Sequence, residues 1–137
     1  MNKILCSILF GLYCGVACAT PAMVTRIVDG DTFKATVLLA DGIEIMSVSV
    51  RLRNVDTPEL HGECDYEIAR AEKAKQRLSE LIPVGSVIEI TNVKNDKYPG
   101  RIDANVFDEN NQDVGLILIR ENLGLPYSGG KRQSWCD

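Results

Sequence analysis

From Met23 to Arg53 the chain alternates with a period of two and leaves no stretch long enough for a helix between its turns. This constrains the fold more than any other feature, because a strict alternation buries one side of a strand and exposes the other. Phe33, Ala35 and Val37 share one face, and Thr32, Lys34 and Thr36 the other. Asp41-Gly42 is a hairpin signal. In the next strand Met46, Val48, Val50 and Leu52 point one way, and Ser47, Ser49, Arg51 and Arg53 the other. Arg51 is therefore expected on the face away from the apolar core.

A helix follows. Asp65 reads as its N-cap, and Ile68, Ala71, Ala74 or Lys75, Leu78 and Leu81 recur at helical spacing until Pro83 stops it. Two further strands are predicted at Ser86 to Val93 and Arg101 to Phe107. In the second, Ile102, Ala104 and Val106 alternate with Arg101, Asp103 and Asn105, which turns Arg101 outward as well. Asp113 caps a short apolar helix through Ile119, ending near Asn122-Leu123-Gly124, and residues 128–137 read as irregular. Three strands, a helix, two strands and a helix describe a mainly β domain with some α: a five-stranded Greek-key barrel of the OB type, with a central helix and a short C-terminal helix. A ferredoxin-like split sheet needs a helix between the first two strands, and Asp29-Gly30-Asp31 leaves no room for one.

The first residues stand outside that pattern. Lys3 precedes a nearly continuous apolar run, Ile4 to Val16, followed by the small-residue sequence Ala17-Cys18-Ala19. That arrangement is expected of a secretory signal peptide and is too short for a spanning helix, which needs roughly 20 residues. Gly15-Val16-Ala17-Cys18 lacks the large aliphatic residue of a lipidation site. The reading is a signal peptide over residues 1–19, cleaved after Ala19, and one exported domain over 20–137, periplasmic or extracellular, monomeric and without stable membrane association. Of the five cysteines only Cys64 and Cys136 remain in that domain, and two cysteines in an exported chain most simply form one disulfide. It would close a loop of about 70 residues, worth roughly 4 kcal/mol by loop entropy. Net charge is −4, and −5 once Lys3 is removed. An acidic total argues against nonspecific coating of nucleic acid and confines any such role to a local site.

Acidic and basic residues meet at the ends of the strand patterns. Asp31, Asp56 and Glu59 lie in loops, and Arg51 and Arg101 on outward strand faces. Carboxylates and a backbone carbonyl suit a hard cation such as Ca²⁺, and guanidinium groups grip phosphate in bidentate fashion at any working pH. Taken alone, each acidic segment also reads as turn chemistry and each arginine as a solvated face. Together the five residues point to metal-assisted phosphodiester hydrolysis.

On the segments Val28-Asp29-Gly30-Asp31-Thr32, Arg51 through Glu59, and Asp96-Lys97-Tyr98-Pro99-Gly100-Arg101, the chain resembles the staphylococcal thermonuclease family from about Val24 to Tyr127. The resemblance implies that Asp31 and Asp56 ligate Ca²⁺ through carboxylates and Thr57 through its carbonyl, with Asp29 in the outer shell. It implies that Glu59 orients or deprotonates the attacking water, and that Arg51 and Arg101 clamp the phosphate, Arg101 at the leaving oxygen. It implies cleavage of DNA and RNA to 3′-phosphate ends. Two departures stand out. Pro99 is inserted where the family reads Lys-Tyr-Gly-Arg, and the chain ends soon after Tyr127, without a long final helix. Tyr98 and Tyr127 are candidates to stack on a base or contact a terminal phosphate.

Two other classes compete. A catalytically silent OB-fold module that binds nucleic acid has no need to retain all five site residues and would profit from a basic groove. A structural Ca²⁺ site leaves both arginines without a purpose. His61, the single histidine, reads as an exposed loop residue, and Lys73, Lys75 and Arg77 interleaved with Glu72 and Glu80 read as an ordinary solvated helix face.

Overall fold

A computed structural model describes residues 18–136. The expected leader, residues 1–19, therefore lies almost wholly outside the described residues. Strands β1 (Thr20–Ile27), β2 (Thr32–Leu38) and β3 (Glu44–Leu52) come first, followed by the short β4 (Val55–Asp56). Helix α1 (Asp65–Leu81), β5 (Val87–Asn95), β6 (Arg101–Phe107), helix α2 (Val114–Arg120) and the short β7 (Leu125–Pro126) complete the chain. Five strands close into a barrel in the order β1-β2-β3-β6-β5, sealed by antiparallel pairing of β1 with β5. β3 and β6 run parallel, setting Arg51 opposite Asp103 and Val50 opposite Ile102. This is the five-stranded Greek-key barrel expected from the alternation, and closure removes the exposed edges of an open sheet.

Val24, Phe33, Ala35, Val50, Leu52, Ile88, Ile90, Ala104 and Val106 are almost fully buried in one core. Ala74 and Leu78 of α1 and Val114 and Leu118 of α2 join the same cluster. Each large aliphatic or aromatic side chain buried there stabilises the fold by about 1.5–3 kcal/mol.

Three register shifts depart from simple alternation, the first in β1–β2 between Val24 and Arg26. The β2–β3 register shifts between Ala35 and Val37, and Ser47 adopts φ 59°, so two β3 residues oppose one on β2. This bulge breaks the period, and Met46, expected beside Val48 and Val50, is 71 % exposed. The third shift lies between Thr91 and Lys94, with Asn92 at φ 52°, in β5, which runs past Val93 to Asn95.

Helix α1 buries Ala71, Ala74 and Leu78 as its spacing predicts and departs from expectation in its first turn. Cys64, not Asp65, is the N-cap residue, and the buried face is Glu67, Ala71, Ala74 and Leu78. Ile68 is turned outward, because position 67 is committed to a buried polar contact described below. The helix ends at Leu81, with the Ile82 N–H bonded to Leu78 O just before Pro83. In α2 the capping expectation holds: Asp113 Oδ1 accepts the Leu116 N–H at 3.1 Å.

The pairing of β4 with β7 has no counterpart in the local sequence pattern. Val55 pairs with Pro126 and Asp56 with Leu125, and the Tyr127 N–H donates to Asn54 O at 3.1 Å. Gly124 permits this approach, since a Cβ there would lie 2.6 Å from Val55 Cγ2. Beyond Tyr127 the described residues form no regular element, and Cys136 is bonded to Cys64, Cα–Cα 6.2 Å across 72 residues.

Candidate functional site

The β1–β2 turn is built by its own backbone. Val28 and Asp29 N–H groups both donate to Thr32 O, and Asp29 Oδ1 accepts the Asp31 N–H at 3.0 Å. Gly30 is packed so closely that a Cβ would meet Ala74 Cβ at 2.7 Å and Thr57 Oγ1 at 2.9 Å. The turn is thereby pressed against α1 and the segment after β4. Asp31 Oδ2 accepts the Thr57 N–H at 3.2 Å, which ties the two acidic loops together across 26 residues.

Asp31, Asp56 and Thr57 are all buried. Arg51, from the end of β3, reaches both carboxylates: its Nη2 lies 3.5 Å from Asp31 Oδ2 and 3.6 Å from Asp56 Oδ1. A single guanidinium nitrogen thus bridges acids from two distant loops. The Tyr127 ring lies over the same guanidinium at 5.7 Å, held in part by its hydroxyl donating to Gly130 O. Arg101, from the start of β6, is engaged with Asp96, Nε to Oδ2 at 2.8 Å, and stacks against Tyr98 at 4.8 Å. Gly100 at φ 80° forms the turn that follows Pro99, and Arg101 still lines the same cavity as Arg51. That open cavity, about 590 Å³, is also lined by Asp29, Asp31, Asp56 and Glu59.

Glu59 is more exposed, and its position depends on a residue that the sequence pattern did not single out. Glu67 Oε2 accepts the Glu59 N–H at 3.1 Å and Oε1 accepts the Glu63 N–H at 3.0 Å. Gly62 is needed in this loop, because a Cβ there would lie 2.5 Å from the Glu67 carboxyl carbon.

The second unanticipated residue is Arg132, in the irregular C-terminal arm. Its Nε lies 2.8 Å from Asp56 Oδ1, its Nη1 3.0 Å from Glu59 Oε2, and its Nη2 donates to Thr57 O at 3.3 Å. Its one sequence signal is proximity to Cys136, which a disulfide to Cys64 draws toward the Glu59 loop. His61 is exposed and takes no part in these contacts.

Electrostatics follow from the crowding. Burial, then the neighbouring Asp31 charge, pushes Asp29 up to about 7. Burial also raises Asp56 and Glu59, in each case against the opposing pull of Arg132. At the cavity wall, burial followed by Asp96 raises Asp103. Asp96 moves down despite its own burial, because the Tyr98 N–H and Arg101 stabilise its anion.

The donor set fits a hard divalent cation. Asp56 Oδ2 is buried and finds no hydrogen-bond partner among the described residues. The carboxyl oxygens of Asp31 and Asp56 and the Thr57 carbonyl offer oxygen ligands only, as calcium prefers. Among the described residues no three of these acids bring a ligand atom each within 4.8 Å of one another, and the one such group, Cys64, Glu67 and Cys136, has its two sulfurs joined to each other.

Residues 49–133 match the family model described as Staphylococcal nuclease homologue. The chain belongs to that family. Membership points to nuclease or nucleic-acid-binding function in a family that is typically metal-dependent. The matched span takes in Arg51, Asp56, Thr57, Glu59, Arg101, Tyr127 and Arg132. Asp29 and Asp31 precede it and reach the same cavity through the β1–β2 turn. No curated protein matches the chain.

Proposed function

We propose that the chain is an exported, Ca²⁺-dependent nuclease that hydrolyses phosphodiester bonds of DNA and RNA and leaves 3′-phosphate ends. The observation that carries this reading is the Arg51 guanidinium held between Asp31 and Asp56 at an open cavity whose wall presents Arg101. A binding module needs neither a buried acidic pair beneath its phosphate site nor a carboxylate beside it.

In this reading Asp31, Asp56 and the Thr57 carbonyl would hold Ca²⁺, with the Asp29 carboxylate supporting Asp31 by accepting its backbone N–H. When bound, Ca²⁺ supplies Lewis-acid polarisation of a phosphoryl oxygen. Glu59 takes a proton from the attacking water, and the upward pull of burial on its carboxyl makes it a better base. Arg51 binds non-bridging oxygens and stabilises the charge that develops on them. Arg101 offsets charge on the oxygen that departs as the P–O5′ bond breaks, and that oxygen takes a proton from solvent water, leaving a 3′-phosphate and a 5′-hydroxyl. Tyr98, more than half exposed beside Arg101, and Tyr127, stacked on Arg51, offer surfaces for a base or a terminal phosphate. An unpaired strand suits an open cavity of this kind. The proposed export rests on the leader over residues 1–19, and a disulfide in the domain suits an oxidising compartment.

The test is digestion of denatured DNA by the purified domain with Ca²⁺ and with chelator, beside Glu59→Ala and Arg101→Ala. Activity is expected to require Ca²⁺ and to fall about 100-fold or more in each variant, the usual scale of acid–base and charge-stabilising groups. Undiminished cleavage in chelator rejects the metal assignment. Tight binding of the strand without any cleavage favours the silent module instead.

A further inference from the structure

Arg132 holds atoms that the proposed site needs for another purpose. Its guanidinium contacts Asp56 Oδ1, Thr57 O and Glu59 Oε2. The first two belong to residues offered to the cation, and the third to the carboxylate offered to water. Asp56 Oδ2 is left without a hydrogen-bond partner among the described residues, but a guanidinium on Asp56 Oδ1 and on Thr57 O puts strong charge repulsion on a divalent ion held by the same carboxylate and carbonyl. The fork of donors also matches this task, since it satisfies three acceptors at fixed spacing with one side chain.

The arm that carries Arg132 is built to stay close and yet to move. At one end the Tyr127 N–H donates to Asn54 O, and at the other Cys136 is bonded to Cys64 at the start of α1. Between them Gly129 and Gly130 sit at φ 97° and 82°, with open space around each. Residues 128–134 are exposed, and none of them belongs to the barrel core.

We infer that Arg132 is a positioning residue of the cation site: it neutralises and gathers Asp56, the Thr57 carbonyl and Glu59, and must release the first two when a divalent cation binds. Cation affinity is then set by competition with a guanidinium kept at high local concentration by the Cys64–Cys136 bond. The inference rests on the reading of Asp31, Asp56 and Thr57 as cation ligands, and its test does not use turnover.

Calorimetric titration of the disulfide-bonded protein with Ca²⁺, without nucleic acid, measures the competition directly. Arg132→Ala is expected to bind Ca²⁺ about five- to tenfold more tightly than the parent, with Arg132→Lys in between. Cys136→Ser is expected to tighten binding in the parent and to change nothing further in the Arg132→Ala background. An arginine that serves only to hold phosphate or to pack the arm leaves Ca²⁺ affinity unchanged or weaker in Arg132→Ala, and that result overturns the inference alone. Absence of Ca²⁺ binding in both proteins overturns the cation assignment, and the inference with it.

Discussion

The Glu67 carboxylate, inside the first turn of α1, accepts the backbone N–H of Glu59 at 3.1 Å. A buried acid thus fixes the loop that presents an exposed one. The arrangement is stable because the anion also receives the Glu63 N–H and lies at a helix N-terminus, where the peptide dipoles favour negative charge.

Glu67→Ala should therefore loosen the Glu59 loop before it disturbs the barrel. Two donors lose their acceptor, and the expected cost is about 2–3 kcal/mol in denaturant unfolding. Hydrogen exchange at the Glu59 and Glu63 amides should accelerate more than exchange in β2 or β3. Unchanged protection at those two amides would contradict the positioning role. Glu67→Gln, which keeps one oxygen acceptor, should fall between.

Gly30→Ala tests how the two acidic loops are held together. The added methyl meets Ala74 Cβ and Thr57 Oγ1 well inside van der Waals contact, and overpacking of this kind costs about 1–3 kcal/mol. A compensating Ala74→Gly change should recover part of the loss even though glycine itself costs about 1 kcal/mol in a helix. Failure of the pair to recover any stability beyond the sum of the single changes would show that the turn, not the contact with α1, sets the strain.

The link between the helices gives a pH dependence. Arg77 Nε and Nη2 grip Glu121 Oε1 and Oε2 at 2.8 and 3.0 Å, and this pairing draws Glu121 below its usual value of 4.5. A depressed carboxyl contributes stability above its unfolded pKa and loses it as pH falls through the folded one. Both side chains are about a third exposed, so solvent screening limits the effect to about 0.5 kcal/mol. Below about pH 4.5 the parent should lose that increment relative to Glu121→Gln. Parallel stability curves for the two proteins from pH 6 to 3 would reject the link.

Breaking the disulfide should be costly. A closed loop of 72 residues corresponds to roughly 4 kcal/mol of unfolded-state entropy. Cys64→Ser should unfold at clearly lower denaturant, and the denatured domain over 20–137 should titrate no free thiol before reduction. Two free thiols in that titration would remove the bond.

Much of the scaffold was determined by the sequence itself, because the interactions that shape it are local. Alternation in β2 and β6, the Asp41-Gly42 turn, the Asp113 cap and the stop at Pro83 each act within a few residues, and β6 runs from Arg101 to Phe107 as its pattern requires. The bulge at Ser47 escaped because it depends on how two strands share their register, not on either strand alone. Cys64 and Cys136 could be paired by elimination, but the course of the arm between β7 and Cys136 could not.

The tertiary structure decided how the site is assembled. Asp31 meets Thr57 across 26 residues, and Arg132 meets Asp56 across 76. No periodicity reports such distances, since each contact exists only after barrel closure and β4–β7 pairing have brought the segments together. The amino-acid order by itself determined which charged groups were available and on which strand face each would stand. Which of those charges touch was settled by burial: acids withdrawn from water must find cationic or N–H partners, and in this fold the nearest come from the end of β3, the start of α1 and a tethered C-terminal arm.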